Sequence, residues 1–363
     1  MLKKSWYKLR DNVRFSYNKW RYDFKACALL NDFSFNKIKH IVVSKMDGKL
    51  GDSQVITPFF TEINKYFPEI KFSVLCSANV APIYKQCLNI TNTIVLPKKP
   101  QKDDLIKAVD AINNYGKCDL LVTTEPNFRA RDFILEHLLK PTYTAGFEGR
   151  AACVNINLLQ RNYGKHISNY FKDLLILGGI SNPDMSYLPL ITQESYVKLN
   201  SLLENKSIYG LAPYGASKHR KLSDKTIIDT LDYCLSLNEN NYVCVLTVKE
   251  DRAILEKISP KYGQRLIVLP LDLNSLDLAF VISKLKVLIS VDTANVHLAC
   301  ASKTPLFALY SGLDSDGIKR WGPFPLFQKA RTFFIPQKLI ESLTFDDFKQ
   351  DLAKFLQTFN LSN

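Results

Sequence analysis

What this chain of 363 residues lacks narrows its chemistry first. None of its eight cysteines (27, 76, 87, 118, 153, 234, 244 and 300) forms a Cys-x-x-Cys pair. Several lie in strand-like runs such as KFSVLCS and YVCVLTV. They read as small buried hydrophobes of a reducing compartment, which argues against a disulfide frame or a zinc site. No apolar run reaches the roughly 18–20 residues that span a bilayer. No signal-peptide core follows the N-terminus, so the expected address is cytoplasmic. Neither G-x-G-x-x-G nor the phosphate loop G-x-x-x-x-G-K-[ST] occurs. Short-period repeats and low-complexity tracts are missing too. Acidic residues are few, 35 against 48 Lys and Arg, and the net charge of +13 favours anionic partners. No nucleic-acid-binding motif accompanies that charge, so nucleic acid is not the expected partner.

What is present describes a globular protein, 46% hydrophobic and 23% charged, and long enough for two domains. Strand-like runs alternate with helical ones. Strands are expected at 39–45, 71–77, 92–97 and 118–124, and 141–147 leads to a sixth short strand. Helices are expected after the first strand up to Pro68, near 79–88, at 103–114 and at 129–140. A stretch rich in Pro, Ser and Asn (181–207) precedes a second round. Its strands fall at 207–215, 241–248, 265–270, 286–292 and 304–311, with helices at 224–237, 252–259 and 275–285. This alternation predicts an α/β protein with two parallel, doubly wound sheets. The expected divisions are a basic segment 1–36, a first Rossmann-like domain 37–190, a second 191–335 and a helical tail 336–363.

The first 25 residues carry eight Lys or Arg against two Asp. Leu2, Trp6, Leu9, Val13, Tyr17, Trp20 and Phe24 recur at spacings of three or four, which puts them on one face of a helix. Such a face either lies on an anionic membrane surface or packs on the protein's own core. Sequence does not choose between the two.

Three loops hold the residues suited to chemistry. The loop 44–58, SKMDGKLGDSQVITP, follows the first strand and opens the first helix, where an α/β sheet meets its ligand. Lys49, Gly51 and Asp52 lie in it, and Asp52 reads either as a catalytic carboxylate or as a charge favouring the helix dipole. The loop 211–223, LAPYGASKHRKLS, with Ser217, Lys218, Arg220 and Lys221, reads either as a solvated, surface-charged loop or as backbone N–H groups and cations holding a diphosphate. The third stretch, SVDTANVHLACASKTPLFALYS (290–311), takes a buried strand through Asp292 and Thr293 into a helix. Thr293 or Asn295 can cap that helix. The N–H groups near Ala294 would then form an anion site, with His297 on the first turn either as a donor to a phosphate or ribose oxygen or as a satisfied structural residue. Asp314-Ser-Asp316 has a D-x-D spacing but reads as turn chemistry, and no metal site is expected.

In this order the loops resemble glycosyltransferase family 9, the lipopolysaccharide heptosyltransferases. LGDSQVITPFFTEINKYFPEIKFSVL is similar to the family's Gly-Asp, Thr-Pro helix and Phe-Pro. LISVDTANVHLACASKTPLFALYSG is similar to its Asp-Thr-Gly-x-x-His-x-Ala-Ala and the Thr-Pro strand behind it, and RWGPF at 320–324 resembles the Arg-Trp-Gly-Pro that follows. The resemblance runs over roughly 40–335 and implies a GT-B fold, two Rossmann-like domains facing a central cleft. It implies metal-independent, inverting transfer of heptose from ADP-heptose to the lipopolysaccharide inner core at the inner membrane face, with no cofactor. Asp52 becomes the general base, and Ser217, Arg220, Lys221, Glu250, Asp292, Thr293, Ala294, Asn295 and His297 become donor-binding residues, with Lys49 and Gly51 on the acceptor side. Two departures stand out: Ala294 replaces the family's glycine, and GASKHRKLS is shorter than the family's loop and lacks its Trp. The alternatives are another nucleotide-sugar donor, or a nucleotide-binding relative without catalysis.

Overall fold

The computed structural model describes residues 2–23, 32–125, 128–247 and 251–361, and for 2–5, 7 and 8 the backbone alone. Cys27 and Glu250, both singled out above, lie outside the described residues. The chain forms two compact units: 1–49 with 56–185, and 50–55 with 186–363. Each holds one six-stranded parallel sheet.

The first unit contains β1 (His40–Lys45), β2 (Lys71–Cys76), β3 (Asn92–Val95), β4 (Leu120–Thr123), β5 (Tyr143–Gly146) and β6 (Ile156–Asn157) in the order β3-β2-β1-β4-β5-β6. The second contains β7 (Ser207–Ala212), β8 (Asn241–Val245), β9 (Leu266–Ile267), β10 (Val287–Val291), β11 (Leu306–Leu309) and β12 (Ala330–Phe333), ordered β12-β11-β10-β7-β8-β9. Counted from its own first strand, each sheet has the order of the dinucleotide-binding fold. The order reverses between β1 and β4 in one unit and between β7 and β10 in the other. Central strands such as VLISV of β10 are buried along their whole length. A parallel strand covered on both faces needs such an uninterrupted apolar run.

Several elements depart from the sequence expectation. A short helix, Leu50–Val55, begins within the first loop, before the Thr57–Tyr66 helix. The helix expected near 79–88 is present over 81–87, but most of it is the wide turn Ile83–Cys87. Within 181–207 lies a helix, Gln193–Leu203, capped by Thr192, whose side chain accepts from Ser195 N. The polar composition that suggested a connection there belongs to a half-exposed helix. β12 was not expected, since its four residues are at most half-buried and make a weak apolar signal. The closing helix Phe345–Thr358 turns Phe345, Phe348, Leu352, Phe355 and Leu356 inward at helical spacing. Phe355 meets Phe307 of β11 at 5.7 Å between ring centroids, so these residues are core of the second unit.

Candidate functional site

The second unit gathers most of the residues named above where β7 and β10 end side by side. The strands are parallel and in register from Val287↔Tyr209 to Ser290↔Ala212, so the loops after them leave from one edge of the sheet. In open α/β sheets that edge, at the reversal of strand order, is where ligands bind.

After β7 the chain folds back on itself. Gly215 N donates to Arg220 O at 2.7 Å and Leu222 N to Pro213 O at 2.9 Å. Gly215 suits this position because a Cβ there would stand 2.6 Å from Arg220 Cβ. The fold-back carries Arg220 across to the neighbouring loop, where Nη1 lies 3.0 Å from Asp292 Oδ2. Lys221 goes elsewhere: Nζ is 2.7 Å from Asp251 Oδ1 and sits over the Tyr214 ring. Ser217 and Lys218 are exposed. Among the described residues of this loop, Arg220 is thus the cation brought to the strand ends.

After β10, Thr293 takes an extended conformation and caps the helix Ala294–Ser302 by accepting from Asn295 N at 3.2 Å. Ser290 Oγ holds Thr293 Oγ1 at 3.3 Å, which fixes the cap from beneath. Thr293, Ala294 and Asn295 are half-exposed, as an anion-accepting helix start must be. Burial pushes the Asp292 carboxyl above its usual range, Arg220 opposes the shift, and the charge of Asp314 adds to it. Asp314 caps the short helix Ser315–Trp321 by accepting from Gly317 N at 2.8 Å. The D-x-D spacing is therefore a helix cap where a turn was expected. Among the described residues, no group of three His, Cys, Asp or Glu is arranged to hold a metal ion.

His297 is buried, 5% exposed, one turn into the helix. The Tyr187 ring stands edge-on to it at 6.1 Å and rests in turn on Phe324 at 4.9 Å. Phe324 closes the RWGPF segment and donates its N–H to Cys300 Sγ at 3.4 Å. Burial drives the Cys300 thiol up to about 12, so it is an inert packing group. Sequence reasoning passed over Tyr187, whose only signal was an aromatic inside the polar stretch 181–207.

The Leu50–Val55 helix belongs by its contacts to this same unit and packs on the Ala294–Ser302 helix. A Cβ at Gly51 would lie 2.9 Å from the His297 ring and 3.2 Å from Ala294 Cα. Glycine is what allows the two helices to meet so closely. Asp52, next in sequence, sits in the first turn of its helix and is half-buried. Lys49 lies in the first unit, with its amide donating to Asp47 Oδ1 at 3.3 Å and Nζ 3.8 Å from Oδ2. Gly51, Asp52, Arg220, Asp292, Thr293, Ala294, Asn295 and His297 thus fall in one unit. Lys221 and Lys49 hold partners of their own.

Residues 184–332 match the family model Glycosyltransferase family 9 (heptosyltransferase). No curated protein sequence matches the chain. Among solved structures, the glycosyl transferase family 9 protein of Veillonella parvula is similar at a TM-score of 0.75 and 17% identity, covering 88% of this chain and 98% of that one. The E. coli ADP-heptose lps heptosyltransferase II is similar at 0.69 and 14% identity, over 89% and 100% of the two chains. E. coli heptosyltransferase WaaC, solved with ADP, is similar at 0.65 and 14%, over 87% and 99%. At such identities these likenesses speak for the fold, which is the α/β GT-B type with two parallel six-stranded sheets. The chain carries a glycosyltransferase family 9 (heptosyltransferase) domain at residues 184–332.

Proposed function

We propose that this protein is an inverting glycosyltransferase that moves a heptose from ADP-heptose to the inner core of lipopolysaccharide at the inner membrane face, without a metal. In this reading the Asp52 carboxylate takes the proton of the acceptor hydroxyl as that oxygen attacks the anomeric carbon. The bond from that carbon to the diphosphate oxygen breaks on the opposite face, and ADP leaves with the electron pair. The departing negative charge needs donors fixed before the reaction, since reorganising them would add to the barrier. The capped helix start at Thr293–Asn295 and the Arg220 guanidinium are suited to that task. Asp292 holds Arg220 in place, while His297, walled by Tyr187, supports the first turn.

The observation that carries this reading is the approach of Gly51 to Ala294 and His297, which joins the base-bearing helix to the anion-accepting one. A donor bound at the second helix would have its anomeric carbon near the first. The test is ADP release on mixing the protein with ADP-heptose and heptose-deficient core lipid. Release expected for the native chain, and lost in Asp52→Asn with nucleotide binding kept, supports the reading; no release above background overturns it. Thermal shift with ADP, UDP and GDP tests the donor, because the nucleotide that binds the folded state raises its melting temperature.

A further inference from the structure

The helix Leu2–Tyr22 settles a question that its sequence left open. It docks on the first unit through Phe15 and Tyr22, which pack against Phe128, Phe133 and Cys153. Phe15 meets Phe133 edge-on at 5.3 Å, Lys19 donates to Arg150 O, and Asp23 accepts from the amides of Ala152 and Cys153 at 2.7 Å each. The face so used is not the regular apolar stripe. Trp6, Leu9, Val13, Tyr17 and Trp20 lie roughly opposite, at about 100° per residue, and all are exposed, Trp6 by 65% and Trp20 by 73%. They form a row of about 21 Å from Trp6 to Trp20.

We infer that this row is a docking face for an anionic phospholipid surface. The docking contacts occupy the opposite side of the helix, so the stripe is held outward and open. Arg10, Arg14 and Arg21 follow one flank of it, and Arg21 braces the Tyr17 hydroxyl at 2.8 Å. Of the two acidic side chains in the first 25 residues, Asp23 is turned to backbone amides of the first unit, which leaves Asp11 beside Arg10 as the acid on the helix itself. An apolar row containing two tryptophans, flanked by arginines, matches the boundary between acyl chains and negative headgroups. A contiguous exposed row of this kind is uncommon on a protein that works free in water. The inference stands apart from the reaction proposed above, and neither depends on the other.

The test is flotation of the full chain with vesicles of phosphatidylcholine and phosphatidylglycerol in equal parts, against phosphatidylcholine alone. Binding is expected to the anionic vesicles only and should weaken as salt rises. A variant with Trp6→Ser, Val13→Ser and Trp20→Ser should bind at least about tenfold more weakly. One with Arg10→Gln, Arg14→Gln and Arg21→Gln should lose a similar factor, about tenfold or more. Because the stripe points outward, neither variant should shift the melting temperature. Quenching of native tryptophan fluorescence by brominated lipid gives a readout that needs no variant. No binding by the native chain, or equal binding by the stripe variant, overturns the inference. So does a dimer of the native chain that the stripe variant dissolves while vesicles are ignored.

Discussion

In the first unit, the edge where β1, β4 and β5 end presents charges that already have partners: Lys45 with Asp47, Arg131 with Glu125, and Arg150 with Glu148 at 2.8 Å. In the second, the corresponding edge presents a half-exposed helix start capped by Thr293, beside one ion pair, Arg220 with Asp292. Both sheets reverse their strand order at that edge, so topology alone does not separate them. The difference lies in side chains on loops. Charges are paired on both edges; the second adds to its ion pair a half-exposed helix start, whose N–H dipoles suit an anion. The family model falls on the second unit, which is also the unit whose loops carry the recognisable residues.

The sharpest break of this comparison is Asp52, which lies between first-unit segments in sequence and packs with the second unit. Asp52→Asn keeps the shape and removes the carboxylate proposed as the base. Turnover should fall by about 10²–10⁴-fold, the usual worth of a general base. ADP affinity measured by calorimetry should stay the same. Loss of both together would make Asp52 a structural residue of its helix.

A second prediction contrasts a buried acid with a half-buried one. Asp132 is fully enclosed in the first unit, and burial, reinforced by Glu125, raises it to about 7, against the hydrogen bond from Arg129 N and the charges of Arg131 and Arg129. The folded state then holds a proton that the unfolded state releases near the ordinary carboxylate value. Stability must therefore fall as pH rises from about 4 to about 7. Asp132→Asn keeps an acceptor for Arg129 N and removes the charge. It should stabilise the protein by ~2–4 kcal/mol above that window and by little below it, as urea melts at several pH values would show. Asp292, half-paired with Arg220, should give a smaller effect of the same sign.

The fold was legible because burial on both faces of parallel strands leaves long apolar runs, and ten of those runs fell on observed strands. β12 escaped because an edge strand exposes most of its side chains. The Leu50–Val55 helix was read only as the opening of the next one, because its one turn and a half follows loop-forming Asp47 and Gly48 and is held by packing on another helix. For the candidate site, types and order were legible and partners were not. Arg220 and Lys221 are neighbours of like charge, and nothing local says that one will turn to Asp292 and the other to Asp251. Tyr187 enters through packing on His297 and Phe324, and a single aromatic in a polar stretch carries no period to betray it. The amphipathic N-terminal stripe was plain, yet its direction depended on which face found Phe133.

Third in size is the contact that ties the two helices of the second unit. Gly51→Val would push two further methyl groups beyond a Cβ already 2.9 Å from the His297 ring, which Tyr187 prevents from yielding. A loss of about 3 kcal/mol is expected, at the upper end for overpacking, as a lower urea midpoint. Ala294→Gly in the same chain should return part of it. Ala294 Cβ would stand 3.6 Å from the new Cβ, whereas Ala294 Cα, at 3.2 Å, remains in either case. Non-additivity in that double-mutant cycle measures the coupling directly. Simple additivity would mean that the helices slide apart instead of clashing.

The smallest effect separates two adjacent cations. Arg220→Met removes the guanidinium from the strand ends and leaves Asp292 with its burial and no counter-charge. ADP affinity should drop about tenfold, the scale of one charge-assisted hydrogen bond. Lys221→Met removes a charge that Asp251 already occupies and should change affinity by less than about threefold, since a partly exposed ion pair contributes little. Calorimetric titration with ADP resolves the two. A drop confined to Lys221→Met would reassign the diphosphate to the Asp251 side of the loop, and the division of labour between the neighbours would be reversed. Equal drops would mean that general positive charge, and no fixed geometry, attracts the nucleotide. Repeating the titration at higher salt distinguishes these cases, because screening weakens a diffuse field much more than a close, partly buried contact.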